Sequence, residues 1–376
     1  MTAGLEVIRD DLDEIARRAE EDLRRLDGKR VLVTGGAGFL MSYLVDLLAA
    51  RTDTNAPRVV VVDDFTTARR DRLSHLASHS RVELRELDAS TLELTESFDV
   101  IVHGASIASP VAYRRMPLRT LEVNALGTLA LLRAVQGRSL DPAGRDRSID
   151  PAGHDRSIEA FVLLSTSEIY GDPEPAHVPT PETYPGRVSS TGPRACYDES
   201  KRFAETLAVT YFQTYGTPVR IVRPFNVYGP GLRPDDGRAV PSLVDDARSG
   251  RDLVLHSDGR PRRSLCYVTD FIVSLLRVIA RGVDGEAYNV GDDREEISMR
   301  ELADRIRAVT KARGHVVVRP SEDPDYLTDN PQRRCPDLTK LRALGGSMPC
   351  VSLEDGLARY VRWLAEERAR PAGAGS

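Results

Sequence analysis

A tyrosine and a lysine at helical spacing are the first residues in this sequence that could do chemistry together. Tyr197 and Lys201 begin and end the run Tyr-Asp-Glu-Ser-Lys, and residues four apart share one face of a helix. A nearby ammonium group lowers the pKa of a phenol from its usual value of about 10. The pair therefore predicts a tyrosine base assisted by a lysine, although this spacing on its own also occurs in ordinary surface pairs.

A glycine-rich segment near the N-terminus predicts a site for a diphosphate. The run Thr-Gly-Gly-Ala-Gly-Phe-Leu-Met at 34–41 follows a β-branched segment and precedes a helical pattern. Gly35 permits a tight turn, and Gly38 lets the backbone approach a pyrophosphate held at the N-terminus of the helix that Phe39 and Leu40 begin. A glycine pattern alone is weak evidence, but its place between a strand and a helix strengthens it.

Acidic residues at the ends of the next two predicted strands indicate which dinucleotide binds. Asp63, followed by Asp64, ends the second strand, where a carboxylate accepts hydrogen bonds from the adenosine ribose and repels a 2′-phosphate. This favours NAD over NADP. Arg69 and Arg70 lie close by in the sequence and are an argument for NADP. Asp88, at the end of the third strand, is predicted to meet the edge of the adenine.

The elements that position these residues alternate along the chain. Short apolar segments at 30–34, 58–62, 82–87, 98–103 and 161–164 are separated by loops and helical patterns. This alternation predicts an α/β fold, a Rossmann-type doubly wound parallel sheet with a smaller C-terminal α/β substrate domain. The expected divisions are an N-terminal amphipathic helix at 1–28, an NAD-binding domain at 29–222, a substrate domain mainly at 223–370 and interleaved with the first, and a disordered tail at 371–376.

Two further segments have simpler interpretations. Leu5, Leu12, Ala19 and Leu26 recur at heptad-like spacing, so the first helix has an apolar stripe that packs either on its own domain or on a partner subunit. The sequence at 141–149 is repeated almost unchanged at 150–158. A tandem duplication in a surface loop explains this repeat without a functional role.

Composition limits the classes of function. With 376 residues, 41% of them hydrophobic and 29% charged, the chain has the make-up of a soluble globular protein. The net charge of −5 gives no general attraction for nucleic acid. No apolar run is long enough to span a membrane, and the charged N-terminus predicts no signal peptide. The four scattered cysteines predict reduced thiols, a cytoplasmic location and no metal site.

Longer motifs give the chain a recognisable resemblance. The glycine turn, Asp63 and the Tyr197–Lys201 pair together resemble the extended short-chain dehydrogenase/reductase family over about 29–364. The segments at 164–173, 191–202, 223–230, 262–270 and 333–337 look like those of UDP-glucuronate decarboxylases in particular. The resemblance implies NAD as cofactor, a nucleotide-sugar substrate, and a homodimer formed through the helix of Tyr197 and the helices after Pro117.

The resemblance also implies a role for individual residues. Tyr197 removes the proton of the sugar 4-hydroxyl, which Thr166 also contacts, while the C4 hydride passes to NAD⁺. Arg263 holds the substrate carboxylate, and Glu168 manages the ring and the proton near C5. The remaining residues implied at the site are Ser167 in catalysis, Ala105 at the cofactor, and Ser109, Tyr113, Arg194, Asn226 and Arg334 at the substrate.

Sibling activities of this family stay open as alternatives. A 4,6-dehydratase usually has an aspartic acid where this chain has Ser167, and a 4-epimerase usually has no glutamate at Glu168. Decarboxylation is therefore the favoured interpretation, with a non-catalytic nucleotide-sugar-binding regulator as a remote one. The sequence does not separate UDP from dTDP, because His256 stands where the family's base-binding segment has tyrosine.

Met41 is the departure with the clearest expected consequence. It occupies the third glycine position of the dinucleotide motif, where a small residue allows the helix to pack closely on the strand. A displaced helix would hold the cofactor more loosely, so that some UDP-4-keto-xylose would leave before it is reduced. Smaller neighbouring residues would instead accommodate the methionine without consequence.

Overall fold

The computed structural model describes residues 6–94, 96–139 and 158–369. The tandem repeat, apart from Ile158, and the tail at 371–376 lie outside the described residues. The strands are β1 Arg30–Thr34, β2 Arg58–Asp63, β3 Val82–Glu86, β4 Val100–His103, β5 Ala160–Leu164, β6 Val219–Pro224, β7 Val227–Tyr228, β8 Leu253–Leu255, β9 Arg262–Arg263, β10 Cys266–Tyr267, β11 Ala287–Val290, β12 Ile297–Ser298, β13 Val316–Val318 and β14 Arg333–Arg334.

Seven of these strands form one parallel sheet, which confirms the predicted fold class. Its strand order is β11-β6-β5-β4-β1-β2-β3, and every neighbouring pair runs parallel. The order reverses between β1 and β4, so that the chain leaves these two strands toward opposite sides. Ligands of doubly wound sheets bind in the crevice outside the carboxyl ends of the strands at such a point.

Helices cover both faces of the sheet. They are α1 Glu6–Arg18, α2 Glu20–Arg24, α3 Phe39–Ala50, α4 Pro110–Arg115, α5 Pro117–Leu121, α6 Gly127–Ser139, α7 Ala195–Tyr215, α8 Ala239–Arg248, α9 Val268–Arg281, α10 Met299–Thr310, α11 Thr339–Ala343 and α12 Leu353–Ala369. Alternate residues of β1 face opposite helix layers. Val31 and Val33 pack with α3 and α9, whereas Leu32 packs with α6 and α7. Strands buried on both faces read as continuous apolar runs, as these do.

The N-terminal amphipathic segment packs on its own chain. It consists of two helices, α1 and α2, that meet at Ala19, rather than the single helix predicted. Its apolar stripe is buried against α3, α9 and α12, so it packs on its own chain. Asp11 adds a polar contact, since its carboxylate accepts hydrogen bonds from Tyr43 at 3.0 Å and Tyr267 at 2.9 Å.

The smaller half of the molecule is built from short strand pairs and the helices between them. β9 lies between β12 and β14, β8 pairs with β13, and β7 pairs with β10. This half is interleaved with the main sheet, because the chain returns to it in α9 and β11. The strand β9 carries Arg263 and β14 carries Arg334 side by side toward the crevice. No helix of the described residues is long and apolar enough to cross a membrane.

Candidate active site

Two glycines shape the turn between β1 and α3. Gly35 has φ of 68°, and a Cβ atom there would lie 2.7 Å from the backbone of Ala105. Gly38 is the N-cap of α3, and no side chain caps this helix. The N–H groups of its first turn are therefore available to an anion. Phe39 and Leu40 line the cavity that begins here, and the turn fits the pyrophosphate of a dinucleotide.

Asp63 is fixed beside this turn by two backbone hydrogen bonds. Its Oδ2 accepts the N–H of Ala37 at 2.9 Å, and its Oδ1 accepts the N–H of Phe65 at 2.8 Å. Burial raises the pKa of this carboxyl. A carboxylate has about four lone-pair sites, so both oxygens can still accept bonds from a ribose diol. Asp63 and Asp64 line a small cavity of about 70 Å³ at the carboxyl end of β2.

Met41 packs against a residue that has no side chain. It is buried, and a Cβ atom placed on Gly104 would lie only 2.5 Å from its Cγ. Because Gly104 has no side chain, the methionine occupies the space between α3 and the end of β4. The packing reason for a looser cofactor seat is therefore absent. Release of UDP-4-keto-xylose stays a prediction that product analysis must test.

We expect Met41→Gly to lower the free energy of unfolding by about 3–5 kcal/mol, because it empties a packed space and places glycine in a helix. Thermal and denaturant unfolding without added ligand would measure the loss. The control Met41→Leu keeps the volume and should cost less than about 1.5 kcal/mol. A Met41→Gly variant as stable as the parent would mean that Gly104 and α3 close over the space.

The predicted catalytic residues converge at the carboxyl ends of β4 and β5. Tyr197 and Lys201 lie on α7, and Lys201 Nζ donates to the carbonyl oxygen of Leu164, the last residue of β5, at 2.8 Å. Thr166 follows two residues later and hydrogen-bonds the Tyr197 hydroxyl. The Tyr197 ring stacks on Tyr113, with centroids 5.1 Å apart and planes 9° apart. The site therefore holds the phenol rigidly, with a hydroxyl partner at its reactive end.

The protonation behaviour of this pair differs from the expectation. Burial raises the pKa of Tyr197 to about 12, although the hydrogen bond with Thr166 acts in the opposite direction. Burial also lowers the pKa of Lys201 to about 7. The ammonium is therefore only partly charged near neutral pH, and its effect on the phenol is smaller than the desolvation. Sequence spacing gave the position of the pair but not the dielectric of its surroundings.

Glu168 is held by two arginines. Arg334 binds both of its oxygens, with Nη2 at 2.6 Å from Oε2, and Arg194 binds the same Oε2. Burial acts to raise the pKa of Glu168, but the two guanidinium groups lower it to about 2. The side chain is thus a fixed anion rather than a proton donor at neutral pH. Ser167, also in the cavity wall, has no acidic proton to give.

Arg263 is a buried guanidinium with neutral partners. Its Nη1 donates to the carbonyl oxygen of Arg262 at 2.8 Å, and its Nη2 donates to Asn330 Oδ1 at 3.0 Å. Within the described residues, no carboxylate lies within ion-pair distance of it. Burial and the neighbouring Arg334 lower its pKa to about 9. A buried cation of this kind favours an anionic ligand, since one would supply the missing counter-charge.

The other predicted substrate residues line the same cavity, which has a volume of about 1570 Å³. Ser109 caps α4 and donates to the Asp236 carbonyl oxygen at 2.8 Å. Asn226 has φ of 42° and donates to the Ser264 carbonyl oxygen at 2.9 Å, so it supports a turn as well as facing the cavity. His256 and Tyr326 meet edge to face in its wall, with centroids 5.1 Å apart.

Three cavity residues were missed in the sequence. Asn330 accepts a hydrogen bond from Arg263, Arg238 donates to the Ala108 carbonyl oxygen at 3.1 Å, and Arg119 lines the small cavity beside Asp63. Each lies in a polar segment of a kind that is common on protein surfaces. No spacing rule connects them to the residues they contact, and so no sequence signal would have found them.

The comparisons with known proteins agree with this geometry. Residues 31–291 match the NAD dependent epimerase/dehydratase family, and the chain belongs to that family. Within it, the chain is 39% identical over 335 residues to UDP-glucuronic acid decarboxylase 2 of Arabidopsis thaliana, covering 89% of this chain and 68% of that one. It is 37% identical over 328 residues to UDP-glucuronic acid decarboxylase 5 of the same plant, covering 87% of both.

Solved structures share the fold while differing in activity. A dTDP-glucose 4,6-dehydratase from Streptomyces venezuelae, crystallised with NAD, superposes with a TM-score of 0.72 at 28% identity, covering 90% of this chain and 98% of that one. The family and this neighbour support NAD as the cofactor, in agreement with the glycine turn and Asp63. Because the fold is common to several activities, the reaction must be inferred from the site.

Proposed function

We propose that this chain is an NAD-dependent decarboxylase that converts UDP-glucuronate to UDP-xylose and CO₂. The observation that supports this most directly is Arg263, a buried guanidinium without a carboxylate partner among the described residues, in the cavity that holds Tyr197. A planar guanidinium matches a carboxylate in a bidentate pair. The similarity to UDP-glucuronic acid decarboxylases supports the same substrate and UDP as its nucleotide.

Each step of the proposed reaction uses a residue that lines the large cavity. Tyr197, in its phenolate form, takes the proton of the 4-hydroxyl and becomes the neutral phenol, while Thr166 hydrogen-bonds the sugar hydroxyl. NAD, which the Gly35–Gly38 turn and Asp63 would hold, would supply hydride transfer at C4. Arg263 holds the carboxylate on C5 until the bond to CO₂ breaks, and the electron pair of that bond moves into the 4-ketone as an enolate. Glu168 stays ionised and orients the water that returns a proton to C5.

The same residues argue against dehydration as the main reaction. A 4,6-dehydratase must protonate a departing 6-hydroxyl, and it needs an acid at that position. Ser167 has no acidic proton, and Arg194 and Arg334 hold the pKa of Glu168 at about 2. An epimerase acting on UDP-glucuronate would also hold the carboxylate, and only its product would distinguish it.

Product analysis tests the proposal. The protein is incubated with UDP-glucuronate and NAD⁺, and the sugar nucleotides are identified by mass spectrometry and NMR while CO₂ is trapped. We expect UDP-xylose and CO₂ in equal amounts. UDP-galacturonate without CO₂ would favour the epimerase, and a 4-keto-6-deoxy product from UDP-glucose or dTDP-glucose would favour the dehydratase. Comparing limiting with saturating NAD⁺ measures any released UDP-4-keto-xylose.

We also infer that the protein is a cytoplasmic homodimer in which 29–222 binds the cofactor and 223–370 binds most of the sugar nucleotide. Large apolar side chains are exposed on the neighbouring α5 and α7 segments, among them Leu118 at 73% and Phe203 at 51%. Apolar surface of this kind on adjacent helices often marks an interface. The thiols, expected to be reduced, fit a cytoplasmic location.

We expect Leu118→Glu combined with Phe203→Glu to convert a dimer into a monomer, because two charges would be buried in each half of the interface. Light scattering after size-exclusion chromatography measures the mass. The control Val283→Glu alters an apolar residue exposed to 59% elsewhere and should leave the mass unchanged. A monomeric parent protein, or a double variant that stays dimeric, would contradict the proposed interface.

A further inference from the structure

An arginine at the expected adenosine end of the cofactor site is paired with Asp64 and Asp88 and, at 3.5 Å, with Glu122. Arg119 lies on α5 and lines the small cavity together with Asp63 and Asp64. Its Nη2 lies 2.9 Å from Asp64 Oδ2 and 2.6 Å from Asp88 Oδ2, and its Nη1 donates to Ser90 Oγ at 3.0 Å. One guanidinium therefore joins the ends of β2 and β3, where the adenosine is expected.

This pairing affects the choice between NAD and NADP. The two dinucleotides differ by one phosphate on the adenosine 2′-oxygen, and a free arginine at that position is what accommodates it. Asp63, Asp64 and Asp88 together have three negative charges against the single positive charge of Arg119. The local charge is therefore negative, although the cavity contains the type of side chain that binds phosphate.

The two arginines that argued for NADP in the sequence are also paired. Arg69 forms an ion pair with Asp71, and Arg70 forms one with Glu86. Both pairs are more exposed than that of Arg119, whose side chain is 25% exposed. Exposed pairs are weak and exchange readily with solvent. Of these three arginines, Arg119 is therefore the one that its acidic partners hold most firmly.

We propose that Asp64, by holding Arg119 together with Asp88, is a second determinant of NAD over NADP beside Asp63. Asp63 keeps the 2′-phosphate away from the ribose, and Asp64 withholds the guanidinium that would bind it. Asp64 is suited to this role because its Oδ1 is fixed by the N–H of Thr66 at 2.9 Å, which leaves Oδ2 directed at Arg119. The proposal rests on the cofactor site of the proposed function and is independent of the reaction at the sugar.

A competition experiment tests this proposal without using catalysis. The purified protein, with whatever dinucleotide it carries, is equilibrated with an equal mixture of NAD⁺ and NADP⁺ in the absence of sugar nucleotide. After rapid removal of free ligand, the retained dinucleotides are released by denaturation and quantified. The ratio of bound NADP⁺ to bound NAD⁺ is the measured quantity, and total retention together with the melting temperature shows whether the site stays intact.

Asp63→Asn and Asp64→Asn, alone and together, form a double-mutant cycle. Each single change removes one negative charge a few ångströms from the phosphate, and we expect each to raise the ratio about tenfold. Together they remove Asp64 as a partner of Arg119, which Asp88 still holds, and open the position beside the ribose. The double variant should therefore exceed the product of the single effects by about tenfold or more. Adding Arg119→Gln to the double variant should remove this excess.

Two matched variants separate this mechanism from a general effect of charge. Asp71→Asn and Glu86→Gln each remove one negative charge while freeing Arg69 or Arg70. We expect them to change the ratio less than about threefold, because exposed charges are screened. If either equals Asp64→Asn, general charge rather than Arg119 governs the choice.

Two outcomes would overturn the proposal within the cycle itself. If the effects of Asp63→Asn and Asp64→Asn multiply without excess, Arg119 does not bind the phosphate. If Asp64→Asn instead weakens retention of both dinucleotides equally, the ion pair only connects α5 to the sheet. Neither outcome affects the decarboxylase proposal, which fails only if UDP-glucuronate yields no CO₂.

Discussion

Replacing Tyr197 with phenylalanine should reduce decarboxylation of UDP-glucuronate by about 10²–10⁴-fold while leaving the bound NAD in place. The substitution removes only the hydroxyl that Thr166 contacts, and the ring can still stack on Tyr113 at its present spacing of 5.1 Å. Oxidation at C4 is the first step of the proposed reaction. Losing its base should therefore lower CO₂ release by the same factor, together with any transient NADH, which absorbance at 340 nm would detect.

The stacked partner supplies a control. Tyr113→Phe also removes one phenolic hydroxyl from the same cavity, and burial raises the pKa of that group well above its ordinary range. Because Tyr113 is not the proposed base, we expect its loss to change the rate much less than the loss of Tyr197. If the two variants are equally impaired, the effect belongs to the stacked pair as a whole, and a Tyr197→Phe enzyme that turns over normally would refute the mechanism.

The sequence was sufficient for features that depend on short spacings. The Tyr197–Lys201 pair lies on one helix, and Gly35 and Gly38 form the turn before α3, as the local pattern predicts. The parallel sheet follows from the alternation of elements. These features were accessible because a helix or a strand fixes the relative direction of residues a few positions apart.

Contacts between distant segments were not accessible in this way. Glu168 and Arg334 are 166 positions apart, and the sequence assigned them separate roles rather than a shared ion pair. The pairing matters, because it makes Glu168 an anion and excludes it as a proton donor. Arg119 and Asp64 are 55 positions apart, and only the register of β2 against β3 brings Asp64 and Asp88 to the same guanidinium.

The packing of Met41 is a third case in which a contact with a distant residue changes the interpretation. A methionine in place of glycine predicts a displaced helix when the position is considered alone. Gly104 lies across from it in the fold, and the missing side chain there compensates for the added one. The dinucleotide motif considers only position 41, so it cannot show that the residue packed against Met41 has no side chain.

We expect Arg263→Gln to lower kcat/KM for UDP-glucuronate by about 10²–10³-fold, because a buried substrate carboxylate would lose its charged partner. Arg263→Lys should be impaired as well, since an ammonium cannot form the bidentate contact. Affinity for UDP-xylose, which has no carboxylate, should change less than about threefold in both variants. Calorimetric titration with UDP-xylose therefore separates loss of the carboxylate contact from general damage to the cavity.

The same substitution, Arg263→Gln, should raise the stability of the folded chain although it lowers activity. Burial and Arg334 lower the pKa of Arg263 to about 9 in the folded chain, below its value of about 12.5 or more in an unfolded chain. A base with a lowered pKa costs the folded state stability at every pH below about 9, and this cost disappears as the pH rises through that value toward the unfolded pKa.

Arg263→Gln removes the buried charge, so we expect its melting temperature at pH 7 without ligand to exceed that of the parent. UDP-glucuronate, which neutralises the charge, should stabilise the parent more than the variant. A variant that melts lower and still decarboxylates would show that Arg263 supports the fold rather than the substrate.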